Sequence, residues 1–107
     1  MRDLALLSEE VASTILETEE YKRYKALITR LKEDPALYAK VNEMREKNFR
    51  IQYRYSDDVL DQIDALTNEY DDVINIELVG QFIEAEVSLC RLIQDFNKSI
   101  IAKLEFE

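Results

Sequence analysis

Histidine and tryptophan are absent from this 107-residue chain, and cysteine, glycine and proline occur once each. Without histidine there is no Ser-His-Asp triad, no Cys-His pair and no His-ligated metal site. The Glu-x-x-His pairs of di-iron helical bundles are excluded for the same reason. A single cysteine forms no internal disulfide and no self-contained zinc or iron–sulfur site. One glycine and one proline cannot supply the turns that sheets and sandwiches need about every 8–12 residues. Long apolar runs are missing as well. The earliest, Leu4–Leu7, follows a single Arg2 and is far too short for a signal peptide or a membrane span. The expected location is therefore the cytoplasm, whose reducing conditions suit a lone thiol.

What is present points to helices. Hydrophobic residues make up 47% of the chain and charged residues 35%, the balance of a helical globular domain. Residues 1–107 are expected to form one such domain. Fourteen Lys and Arg against 23 Asp and Glu leave a net charge of −9. A chain so acidic gains nothing from counterion release on a phosphate backbone, so neither nucleic acid nor an anionic membrane is an expected partner. The charge is also lopsided. Residues 1–55 carry 11 basic and 10 acidic side chains, whereas residues 56–107 carry 3 and 13.

The apolar spacing predicts an all-α fold of about five helices in a bundle. Leu4, Leu7, Val11 and Ile15 mark one face of a first helix over residues 3–17. Thr18 offers a cap, with Glu19 and Glu20 in the turn after it, so a second helix restarts there around Tyr21, Tyr24, Ile28 and Leu31. Asp34-Pro35 is the firmest boundary, an N-cap followed by proline at the first helical position. The third helix then runs to about Tyr55 along Leu37, Val41, Met44, Asn48 and Ile51. Ser56 is read as the cap of a fourth, with Val59, Ile63, Leu66, Tyr70 and Val73 as its stripe and residues 71–75 as a connection. The last helix covers residues 76–104, about 43 Å at 1.5 Å per residue. That exceeds the diameter of roughly 34 Å expected for a domain of this size. Its wide apolar stripe implies a second chain, hence a homo-oligomer or an obligate partner.

No constellation promises chemistry. Asp57, Asp58, Asp61 and Asp64 lack the glycine and alternating spacing of a calcium loop. No metal, catalytic residue or cofactor is expected, and the chain is read as a non-enzyme. Cys90 is expected as a core or half-buried thiol. Asn48 within an apolar stripe either fixes register or is simply hydrogen-bonded. Gly80 suggests a close helix approach or a bend. The tyrosines Tyr21, Tyr24, Tyr53, Tyr55 and Tyr70 read as half-buried positions or as interface anchors. The opposite charges of helices three and four fit antiparallel neighbours, or alternatively an acidic docking face for a basic partner.

Five segments in fixed order carry a resemblance: residues 18–24 (TEEYKRY), 32–38 (KEDPALY), 42–52 (NEMREKNFRIQ), 82–86 (FIEAE) and 92–97 (LIQDFN). The set resembles the YlbF/YmcA (Com_YlbF) family of small helical regulators in Gram-positive bacteria. Two features depart from the family pattern: Asn75-Ile76 stands where Asn-Pro is usual, and there is no cysteine near the C-terminus. The resemblance implies a cytoplasmic regulatory protein acting through protein–protein assembly in competence, sporulation and biofilm development. The implied partners are related small helical proteins, a YaaT-like protein and ribonuclease Y. The candidate protein-binding residues are Arg45, Phe49, Gln52 and Tyr53 on helix three, with Glu84 and Glu86 on the last helix. They place aromatic and charged groups beside the main apolar stripes, as interface anchors do. The alternative is a structural or holdase-like scaffold that binds clients through an exposed apolar groove.

Overall fold

Local capping decides where each helix begins, and the computed structural model, which describes residues 3–54 and 57–104, shows how. Asp3 accepts from the Ala5 amide at 3.0 Å and opens α1, Leu4–Leu16. Thr18 does two jobs between α1 and α2. Its hydroxyl donates to the Ile15 carbonyl at 2.6 Å and accepts from the Tyr21 amide at 3.2 Å, so α1 ends and α2, Glu19–Lys32, restarts as a separate helix. Asp34 accepts from the Leu37 amide at 3.2 Å, and Pro35 takes the first position of α3, Pro35–Tyr53. These boundaries agree with the sequence.

Two boundaries do not. Ser56 and Tyr55 lie outside the described residues; α4, Val59–Glu69, has Asp58 at its N-cap position. There the Asp58 carboxylate accepts from Gln62 Nε2 at 2.7 Å instead of capping the backbone. The expected connection at residues 71–75 is largely a short helix, α5, Asp71–Ile74. The Tyr70 carbonyl accepts from the Val73 and Ile74 amides, and Asn75 Nδ2 returns to the Asp71 carbonyl at 2.9 Å, closing that single turn at both ends. Val73 therefore belongs to α5, not to α4. The last helix, α6, is Glu77–Leu104 and has 28 residues, about 42 Å of helix. The described residues thus form six helices and no strand, an all-α fold with a long C-terminal helix.

Contacts group the chain into two compact units, with the division inside α2 and inside α6. One unit is Ile28–Gln81. Its buried side chains are Leu31, Val41, Met44, Leu66, Tyr70, Val73 and Val79. Here α3 and α4 run antiparallel: Glu43 meets Tyr70, Lys47 meets Glu69, and a cleft further along joins Arg54 to Gln62. The other unit holds the described residues up to Leu27 and from Phe82 onward. Leu27, Phe82 and Ala85 are its buried residues. The Tyr24 ring lies 5.6 Å from the Phe82 ring, and Arg23 pairs with Glu84 at 3.4 Å, so the start of α2 is held to α6. In α1, by contrast, no residue is buried.

Candidate protein-interaction surfaces

The third helix presents two faces with different work. Val41 and Met44 turn inward. About 100° of helix away, Arg45, Phe49, Gln52 and Tyr53 share a continuous arc, since their spacings of 4, 3 and 1 keep them on one side at 3.6 residues per turn. Phe49 and Tyr53 are 67% and 75% exposed. Their rings stack at 5.7 Å with 22° between planes. Arg45 is half-buried and donates to Asn42 Oδ1 at 3.1 Å, which fixes its side chain along the helix. Gln52 donates to Asn48 Oδ1 at 3.1 Å. Asn48 is thereby hydrogen-bonded within its own helix. The structure thus brings together the four α3 residues singled out by sequence. Two largely exposed, mutually stacked aromatics are costly to leave in solvent and ready to be covered.

On the opposite flank of α3 is a charge network that joins it to α4. Lys47 Nζ lies 3.0 Å from Glu69 Oε1 and 3.4 Å from Glu43 Oε1, and 5.0 Å from the centre of the Tyr70 ring. The buried Tyr70 donates its hydroxyl to Glu43 Oε1 at 2.6 Å. That hydrogen bond first, and Lys47 second, hold the Glu43 carboxyl below its ordinary range. The same bond to Glu43 pushes the Tyr70 phenol up. Lys47 is pushed up by its interaction with Tyr70 and then by Glu69. The complementary flanks of α3 and α4 are therefore spent, at least here, on each other. Beside them lies an open cleft of about 410 Å³ between Lys47 and Arg50 on α3, Arg54 at its C-cap, and Gln62 and Glu69 on α4. Arg50 also pairs with Glu46 on its own helix. Sequence reasoning missed the Glu43–Lys47–Tyr70 cluster; the i, i+4 spacing of Glu43 and Lys47 was its only local signal.

Glu84 and Glu86 belong to the other unit. Glu84 is exposed and pairs with Arg23, while Glu86 is half-buried. On the same unit, α1 and α6 enclose an apolar groove of about 380 Å³, with Leu7, Val11 and Ile15 on one side and Leu92 and Phe96 on the other. Beyond Leu92 every described residue of α6 is exposed, including Ile93, Phe96, Ile100, Ile101 and Leu104. Cys90 corrects an expectation: it is exposed, because it sits roughly 80° round the helix from buried Phe82. Tyr53 is likewise exposed and Tyr70 buried, while Tyr21 and Tyr24 are half-buried as expected. Among the described residues no three Asp, Glu or Cys side chains converge as metal ligands, and no helix is long and apolar enough to cross a membrane.

Comparison with known proteins places this arrangement. The chain is 26% identical over 110 aligned residues to a UPF0342 protein of Caldicellulosiruptor bescii, a match that covers 100% of this chain and 92% of that relative. No solved structure matches it. Residues 6–105, from α1 to the end of α6, match the regulatory family described as control of competence regulator ComK, YlbF/YmcA, and the chain belongs to this Com_YlbF family.

Proposed function

We propose that the chain is a non-enzymatic cytoplasmic regulator that works by assembling with other proteins. Its partners are related small helical proteins, a YaaT-like protein and ribonuclease Y. Through them it modulates messenger RNA maturation during competence, sporulation and biofilm development. Family membership supports the regulatory part of this reading. The observation that carries the assembly part is the stacked Phe49–Tyr53 pair, exposed on α3 beside Arg45 and Gln52. Aromatic side chains next to an arginine are the usual anchors of protein interfaces. The net charge of −9 fits an indirect route to RNA, in which the chain touches the processing machinery and not the nucleic acid. Glu84, which pairs with Arg23, and half-buried Glu86 are the acidic members of the same proposal on the other unit.

The test is a tagged pull-down from native cytoplasm, quantified by mass spectrometry, with wild type beside the double variant Phe49→Ala, Tyr53→Ala. Stoichiometric recovery of a related helical protein, a YaaT-like protein or ribonuclease Y is expected, with at least tenfold loss in the variant. Equal recovery with both proteins overturns the α3 surface. The apolar α1–α6 groove favours a second reading, a holdase-like scaffold. That reading requires many clients, each far below one per chain, in the same experiment.

A further inference from the structure

The cleft between α3 and α4 is lined in two ways, and together they point to one kind of ligand. Lys47, Arg50 and Arg54 line it at spacings of 3 and 4, while half-buried Ile51 and buried Leu66 give it an apolar lining. The three bases are not equally satisfied. Lys47 is held by Glu43 and by Glu69, and Glu69 is the one acid among the lining residues. Arg50 pairs with Glu46, which stands outside the lining. Arg54 makes no ion pair among the described residues. At the C-cap of α3 it keeps helical angles, φ −80° and ψ −13°, so it falls one turn after Arg50 on the same side. Like charges at that spacing repel each other, and a carboxylate set between two guanidinium groups relieves both.

We infer that the protein docked on α3 presents an acidic amphipathic segment, with an apolar side chain against Ile51 and Leu66 and carboxylates on Arg50 and Arg54. This deepens the proposed function by naming the partner's chemistry, and it rests on that reading in taking α3 as the docking helix. Three observations select this occupant. The cleft adjoins the aromatic pair. Phe49 and Tyr53 each precede one of the two arginines, so the ring stack and the guanidinium pair are neighbouring stripes on the same turns of helix, and one segment can cover both. A volume of about 410 Å³ is that of a small-ligand pocket, room for a few side chains. The mixed lining then rules against simpler anions. A free phosphate leaves Ile51 and Leu66 uncovered. A nucleic-acid strand meets acids at the rim, because Gln62 of the lining is bonded to Asp58 and Asp61 is its neighbour in sequence. A short acidic segment brings apolar and anionic groups in the proportion the cleft offers.

The experiment is a titration of the full chain, labelled with nitrogen-15, followed by amide chemical shifts. The probes are a short capped peptide of leucine and glutamate, the same peptide with lysine for glutamate, and inorganic phosphate. The glutamate peptide is expected to shift amides around Ile51, Arg54 and Ala65 and to bind at least tenfold more tightly than the other two probes. Added salt should weaken it. The variant Arg50→Glu, Arg54→Glu changes two exposed side chains and is expected to keep its helix content while reversing the preference to the lysine peptide. No shift from the glutamate peptide at about 5 mM overturns the proposal, as that excludes even weak binding. Equal binding of both peptides overturns it as well, by removing the charge, and equal binding of phosphate reduces the cleft to a simple anion site. Failure here leaves the Phe49–Tyr53 contact standing, whose test is the pull-down. Failure of the pull-down variant leaves the preference of the cleft measurable on its own.

Discussion

Gly80 shows how far a single residue's meaning depends on its surroundings. In the sequence, a glycine near the start of a long helix suggests a bend or a close approach. In the fold, a Cβ at Gly80 meets only the Ile74 carbonyl oxygen, at 3.8 Å, which is ordinary contact. Its amide is already engaged with the Ile76 carbonyl at 3.0 Å, so the backbone is helical and satisfied. Nothing in the described packing demands glycine. Gly80→Ala is therefore expected to stabilise the chain by about 0.5–1 kcal/mol, the helix-propensity difference. Urea denaturation measures it as a higher midpoint at unchanged slope. A lower midpoint would mean that α6 needs glycine's freedom there. Cys90 makes the same point in reverse. Its sequence neighbours Leu89 and Leu92 suggest burial, yet it stands off the line of Phe82 and is exposed.

Among the elements, those that end through local chemistry were legible and those that end through distant contacts were not. Thr18 and Asp34-Pro35 act within four residues of the helices they punctuate, and both were readable. Tyr70 was not. Its spacing from Leu66 and Val73 continues a helical stripe, but its hydroxyl is committed to Glu43, 27 residues away, and α4 stops at Glu69. The same contact makes the joining of α3 to α4 depend on pH, and the signs can be worked out. Glu43 is held below its ordinary value, so its contribution is present above the unfolded carboxyl pKa and fades as pH falls through the lower folded one. Tyr70 is pushed up, so its contribution is present below the ordinary phenol pKa and fades as pH rises through the higher folded one. Lys47, pushed up as well, follows the sign of Tyr70. Comparing Glu43→Gln with wild type by urea midpoint across pH, the difference is expected to be constant between about pH 6 and 9. It should then shrink below about pH 4.5, where Glu43 of the unfolded chain takes up its proton, and be lost as pH falls through the lower folded value. A difference that persists unchanged at pH 3 would mean that packing, not charge, makes Glu43 matter. The α3 surface was legible for a simple reason: Phe49 and Tyr53 sit off the Val41–Met44 line, and offset aromatics have no core to enter.

For the whole molecule, burial is distributed unevenly, and protection of the backbone should follow it. Leu31, Val41, Met44, Leu66, Tyr70, Val73 and Val79 are buried in one unit, whereas the other buries Leu27, Phe82 and Ala85 and leaves α1 with none. A 13-residue helix without buried side chains is marginal in water, since nucleation is costly and packing supplies most helical stability. Local opening of α1 should therefore cost far less than global unfolding. The wide apolar stripe of the last helix follows the same unevenness: beyond Leu92 every described residue of α6 is exposed, with Ile93, Phe96 and Ile100 about two-fifths so. Hydrogen exchange joins these statements in one measurement. Amides of α1 and of α6 beyond Leu92 are expected to exchange orders of magnitude faster than those of α3. Protection of α1 that equals that of α3 would mean that the half-buried Val11 and Ile15 hold this helix as firmly as a buried core does.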